Sequence, residues 1–226
     1  MIMTERAALQ HKNEQIVKKM VKALDEDPYD PKRYYDLGSM LTKIQSFQQA
    51  EELFLKGLNV FTKDPSKQGL LHYGLGNVYY ATGLYEKAIS EFSKVKDEKL
   101  KADALLMIAQ GYYAQNQYQQ AMVFALTASE NATQDPAPKA LLGDCFLATG
   151  DFQNAQKYYD KALALNKKDI HVNFQRGLTA LVQGQKADIY FTRVKKRDPQ
   201  YLKKHQERLN DIASLLKKQN GKGGRE

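Results

Sequence analysis

Apolar and polar residues along this chain fall into a unit that returns about every 34 positions. Each copy opens with a large apolar residue and a small one, followed three residues later by another bulky side chain. The four clearest openings are Leu37-Gly38-Ser39-Met40-Leu41, Leu75-Gly76-Asn77-Val78-Tyr79, Ile108-Ala109-Gln110-Gly111-Tyr112 and Leu142-Gly143-Asp144-Cys145-Phe146. Each continues through a turn into an aromatic followed three positions later by Ala: Phe47 and Ala50, Tyr85 and Ala88, Tyr118 and Ala121, Phe152 and Ala155. This pattern predicts two antiparallel helices per copy. Helices approach closely only where side chains are small, and large side chains must fill the space beside such contacts. Gly38, Gly76, Gly143 and Gly177 therefore read as packing glycines inside helices, since an isolated helical Gly otherwise costs about 1 kcal/mol relative to Ala. Gly83, Asn116, Gly150 and Gly184 occupy the turns, where a left-handed residue ends the first helix.

Departures from the pattern predict where the stack changes. Gln45 stands at the first turn. Gly38 lies 38 residues before Gly76, against 33 and 34 for the next two intervals, so a longer loop is expected around Phe61 to Lys67. Val95 stands where a smaller residue is usual, and Ala125 where the other copies have an aromatic. A fifth copy is degenerate: Gly177, Gly184, Ala187, Phe191 and Pro199 keep the order, while Ala180 replaces the aromatic. Ile16, Met20, Ala23 and Pro28 have the spacing of a lone second helix, preceded by a polar stretch from Thr4 to Gln15. Tyr201, Leu202, His205, Leu209, Ile212 and Leu215 or Leu216 recur as an amphipathic helix, of the polar-backed kind that caps a repeat array.

At these residues the chain resembles the tetratricopeptide repeat family, and looks like its small stand-alone cytosolic bacterial members. The resemblance implies an all-α fold: a right-handed α-solenoid of helix-turn-helix repeats with an N-terminal half repeat and a C-terminal capping helix. The expected organisation is an N-terminal helix over 1–30, about five repeats over 31–198, a capping helix over 199–220 and a disordered basic tail over 221–226. The family's concave groove is lined by one face of each first helix. Carried over, that face supplies Tyr35, Ser39, Tyr73, Asn77, Tyr80, Gln110, Tyr113 and Asp144 as a partner-binding groove. Tyrosine offers a large area with a polar tip at small entropy cost, and the amides can hydrogen-bond a peptide backbone. On a helix such aromatics are as readily core, so both readings stand. Co-chaperones of this family grip a terminal carboxylate with a Lys and an Asn on that face. Here the Lys positions hold Tyr35, Tyr73, Leu106 and Ala140, so that clamp is not expected.

Composition narrows the setting. Cys145 is the only cysteine, which rules out an intramolecular disulfide. No apolar run reaches a membrane span, and the N-terminus lacks a signal-peptide core, so a cytoplasmic protein without membrane contact is expected. The net charge is +8, and eleven basic against four acidic residues from Arg193 onward carry +7 of it. Lys195, Lys196, Arg197, Lys203, Lys204, Arg208, Lys217 and Lys218 form a patch that attracts an anionic partner or serves only as a solvated cap complementing helix dipoles. His11, His72, His171 and His205 are scattered without metal-ligand spacing. Gly74-Leu75-Gly76 and Gly221-Lys222-Gly223-Gly224 lack the context of a nucleotide loop. Cys145 reads as a buried structural thiol. No catalytic residue, metal or cofactor is expected.

The function these features imply is a non-catalytic interaction scaffold that binds a protein or peptide segment in the groove. The alternative is a nucleic-acid-associated accessory factor, in RNA or DNA maintenance, acting through the basic C-terminal surface. Self-association through the solenoid edges is a third arrangement open to such a chain.

Overall fold

The structure, a computed structural model, describes residues 2–212 and 214. Among them there is no strand, and the helices include α1 (Ile2–Glu26), α2 (Pro31–Lys43), α3 (Phe47–Val60), α4 (Pro65–Ala81), α5 (Tyr85–Ser93), α6 (Glu98–Ala114), α7 (Tyr118–Asn131), α8 (Pro136–Ala148), α9 (Phe152–Leu165), α10 (Ile170–Val182), α11 (Asp188–Arg197) and α12 (Pro199–Lys204). The chain divides into two compact units, Met1–Asn116 and Gln117–Glu226, so α6 and α7 belong to different units. In the first unit α2 packs on α3, α4 on α5, and the first helices α2, α4 and α6 lie against one another in turn. In the second, α8 packs on α9 and α10, α9 on α10, and α10 on α11. Each unit is a stack of helical hairpins.

Local chemistry sets the helix ends. Asp30, Asp97, Asp135, Asp169 and Asp198 cap α2, α6, α8, α10 and α12 by accepting hydrogen bonds from backbone N–H groups of the first turn. Pro31, Pro65, Pro136 and Pro199 stand at first helical positions, where a missing N–H costs nothing. The turn residues Gly83, Asn116, Gly150 and Gly184 all have positive φ, as does Gln45 at 63°.

Packing explains the glycines. A Cβ on Gly38 would lie 2.4 Å from the Phe54 ring, and one on Gly74 2.3 Å from the same ring. Phe54 is fully buried between α2 and α4. Gly76 admits Phe92, Gly143 admits Tyr159 and Gly177 admits Phe191 in the same way. Val95 lies beyond the end of α5, the shortest helix of the first unit, so the larger residue packs in the loop rather than within a helix.

The ends of the chain differ from a simple continuation. The polar stretch Thr4 to Gln15 is helical, continuous with the half-repeat positions in the 25-residue α1. The stretch read as one capping helix over 199–220 is interrupted at His205: α12 ends at Lys204, and residues 206–212 are again helical. There the His205 N–H is shared between the Tyr201 and Leu202 carbonyls, and the ring Nδ1 lies 2.8 Å from the Tyr201 oxygen. The tail at 221–226 lies outside the described residues.

Candidate functional site

The first-helix face of the first unit combines α2, α4 and α6. Tyr35, Ser39, Tyr73, Asn77, Tyr80, Gln110 and Tyr113 are all half-buried. On α4, residues 73, 77 and 80 share one side by helical period. The Tyr73 ring rests on Phe92 with centroids 5.5 Å apart, and the Tyr80 ring on Tyr85 at 5.4 Å. Both aromatics thus brace the α4–α5 hairpin with one edge while keeping part of their surface open. Burial, reinforced by Asp103 of α6 and Tyr35 of α2, pushes the Tyr73 hydroxyl up to about 12. Burial, with Tyr85, also raises Tyr80. Both phenols are therefore neutral donors at physiological pH. The side-chain amides of Asn77 and Gln110 have no hydrogen-bond partner among the described residues. Behind this face, Tyr79 donates to Glu51 at 2.8 Å, and Glu91 holds His72 at 2.7 Å and Lys94 at 2.6 Å. Burial alone would raise Glu91; the hydrogen bonds from His72 and Lys94 outweigh it and hold the carboxyl below its usual range.

The corresponding face of the second unit is already engaged. Asp144 accepts from the Tyr159 hydroxyl at 2.7 Å and lies 2.9 Å from Nε2 of His171. The hydrogen bond to Asp144 raises His171 above the ordinary histidine value despite the opposing effect of burial. Sequence spacing could not reveal this pair, because its members sit on different helices 27 residues apart. In the degenerate copy, Phe174 and Leu178 take the places that Ala140 and Asp144 hold in the copy before, and they are not open. The Phe174 ring meets Tyr201 at 5.5 Å and His205 at 5.0 Å, and Tyr201, Leu202, Leu209 and Ile212 pack on the Phe174–Leu178–Val194 cluster. The chain's own C-terminal segment thus covers this part of the face.

Arg176 is the other departure in this unit, standing where a large apolar residue opens the earlier copies. It is buried, its Nε donates to Asp160 at 2.8 Å, and its guanidinium lies 4.8 Å from the centre of the Tyr190 ring. Cys145 is fully buried, and burial, with Asp144 beside it, pushes its thiol up to about 12, far from a reactive thiolate.

The basic residues are spread over several elements. Lys195, Lys196 and Arg197 are exposed in the last turn of α11, Lys203 and Lys204 end α12, and Arg208 is exposed beyond the break. Lys217 and Lys218 lie outside the described residues. Lys196 and Arg197, with Arg193 and the loop residues Lys167 and Lys168, line a cleft of about 470 Å³. Among the described residues no helix is long and apolar enough to cross a membrane.

Residues 71–99 and 139–169 each match a model of the tetratricopeptide repeat. Over 211 residues the chain is 26% identical to human tetratricopeptide repeat protein 16, covering 85% of this chain and 20% of that one. The Macaca fascicularis protein of the same name is 26% identical over 196 residues, 79% of this chain and 19% of its own length. The chain therefore spans about a fifth of these curated relatives. Among solved structures, Pseudomonas aeruginosa pilF aligns with a TM-score of 0.71 at 16% identity, over 90% of this chain and 92% of its own. YrrB, described as a protein of this repeat type with an unusual peptide-binding site, aligns with a TM-score of 0.59 at 18% identity, over 88% and 97%. At these identities the likeness to the solved structures is one of fold.

Proposed function

Because this chain is a tetratricopeptide-repeat protein, we propose that it is a non-catalytic scaffold that binds an extended or helical segment of a protein partner on the α2–α4–α6 face of its first unit. One observation carries this reading. The face presents the unpartnered amides of Asn77 and Gln110 beside the half-buried phenols of Tyr73 and Tyr80. In the second unit, by contrast, Asp144 and Phe174 are already satisfied from within. Amides next to rigid aromatic surface suit main-chain hydrogen bonding to a peptide, and aromatics braced by neighbours lose little entropy on binding. A peptide-binding site in YrrB, a protein of the same fold, is in keeping with this assignment.

The test follows from how each side chain is held. Replacing Tyr73 or Tyr80 by Ala would also remove the packing on Phe92 or Tyr85, which confounds binding with stability. Asn77→Ala and Gln110→Ala remove only unpartnered amides. The double variant should keep wild-type helicity and melting temperature and lose the partners captured by nuclease-treated native pull-down with quantitative mass spectrometry. An unchanged set of captured proteins would refute the assignment to this face.

A further inference from the structure

We propose that the cleft between the α9–α10 loop and α11 is a binding site for a compact anion carrying two or more phosphate groups. Its lining side chains among the described residues are all cationic: Lys167 and Lys168 from the loop, and Arg193, Lys196 and Arg197 from α11. Among the described residues no carboxylate lines it. The two acids adjacent in sequence are occupied elsewhere, Asp169 accepting from the Val172 N–H at 2.8 Å and Asp198 from the Tyr201 N–H at 2.9 Å. Like charges gathered around one cavity raise its potential and favour a multiply charged anion.

The two walls are joined by one buried side chain. Asn173 of α10 is 1% exposed. Its Nδ2 donates to the backbone oxygens of Lys167 at 3.0 Å and Asp169 at 2.6 Å, which fixes the loop, and its Oδ1 accepts from Nη1 of Arg193 at 3.4 Å. Arg193 also faces the Tyr190 ring at 5.9 Å. A guanidinium held in this way still has donors to spare, and its planar fork matches phosphate oxygens. A volume of about 470 Å³ suits a compact anion. The cations that end α11 would complement a helix dipole wherever they lay, but the dipole gives no reason for Lys167 and Lys168 to face them across a cavity tied by Asn173.

The probe is inorganic tripolyphosphate, titrated calorimetrically into the full chain at constant ionic strength, with sulfate as the control for simple charge. Wild type should bind tripolyphosphate at one site per chain and sulfate far more weakly. Combined K167Q, K168Q, K196Q and R197Q should weaken binding by about a hundredfold or more, since a hydrogen bond to a charged group is worth about tenfold or more. K203Q with K204Q, which does not touch the cleft, should leave binding unchanged. Circular dichroism checks that the variants remain folded. Equal losses from both sets, or sulfate binding as tight as tripolyphosphate, would reduce the site to diffuse surface charge and overturn the proposal. So would tight binding of a single-stranded oligonucleotide that tripolyphosphate fails to displace, which would instead make this surface a nucleic-acid contact.

Discussion

Gly74→Ala tests the packing logic most directly. The added methyl would sit 2.3 Å from two ring atoms of Phe54, against the 3.5 to 4.0 Å at which carbon atoms make favourable contact. The ring would have to retreat by more than ~1 Å, and its way is closed, because the approach to Gly38 on the other side is as tight at 2.4 Å and Phe54 has no exposed surface. Overpacking of this kind costs about 1–3 kcal/mol, and the better helix propensity of Ala returns about 1. The expected net effect is a loss of up to about 2 kcal/mol. In a Phe54→Leu background the ring is gone, and the same substitution should become neutral or stabilising by up to about 1 kcal/mol. Urea unfolding followed by circular dichroism at the helical band measures both pairs, with the slope compared across variants because a chain of two units can unfold in more than one step. A stabilising Gly74→Ala in the wild-type background, or equal losses in both, would refute the account of these glycines as space reserved for Phe54.

Other consequences are open to measurement. His171, raised by its bond to Asp144, contributes stability that is fully present below the unfolded histidine pKa and is lost as pH rises through the higher folded value. The margin of wild type over His171→Gln should therefore shrink between mildly acidic and alkaline pH, and a margin that widens instead would contradict the pairing. Glu91 works in the opposite direction: held low by His72 and Lys94, its contribution should fade as pH drops through its folded value, and Glu91→Gln should flatten the acid limb of the stability profile. Arg176→Leu should leave the second unit as stable as wild type or more so, because the buried guanidinium leaves Nη1 unpaired while Asp160 is exposed and stays solvated without it. A loss above about 2 kcal/mol in chemical denaturation would show the ion pair to be stabilising. Cys145 should resist thiol reagents in the native protein and react at once after unfolding, and labelling at the unfolded rate without denaturant would contradict its burial.

The repeat itself can be read from residue type and spacing. The phase of Gly38, Gly76, Gly143 and Gly177 against Phe54, Phe92, Tyr159 and Phe191 is a matter of volume, which a sequence displays. The left-handed turns are likewise written in Gly83, Asn116, Gly150 and Gly184, and helical period places Tyr73, Asn77 and Tyr80 on one side of α4. Which polar groups meet is decided only in three dimensions. Asp144 looks like an open groove residue until Tyr159 and His171 close on it. That the C-terminal segment covers Phe174 and Leu178 in the degenerate copy, through Tyr201 and Leu202, is likewise visible only in the fold. Lys167 and Lys168 stand outside the charged C-terminal stretch in sequence and join Arg193 only through Asn173. Apolar packing tolerates many partners of the right size, so a period suffices to specify it. A hydrogen bond or ion pair must be placed to within a few tenths of an ångström, and that depends on how neighbouring helices settle against one another.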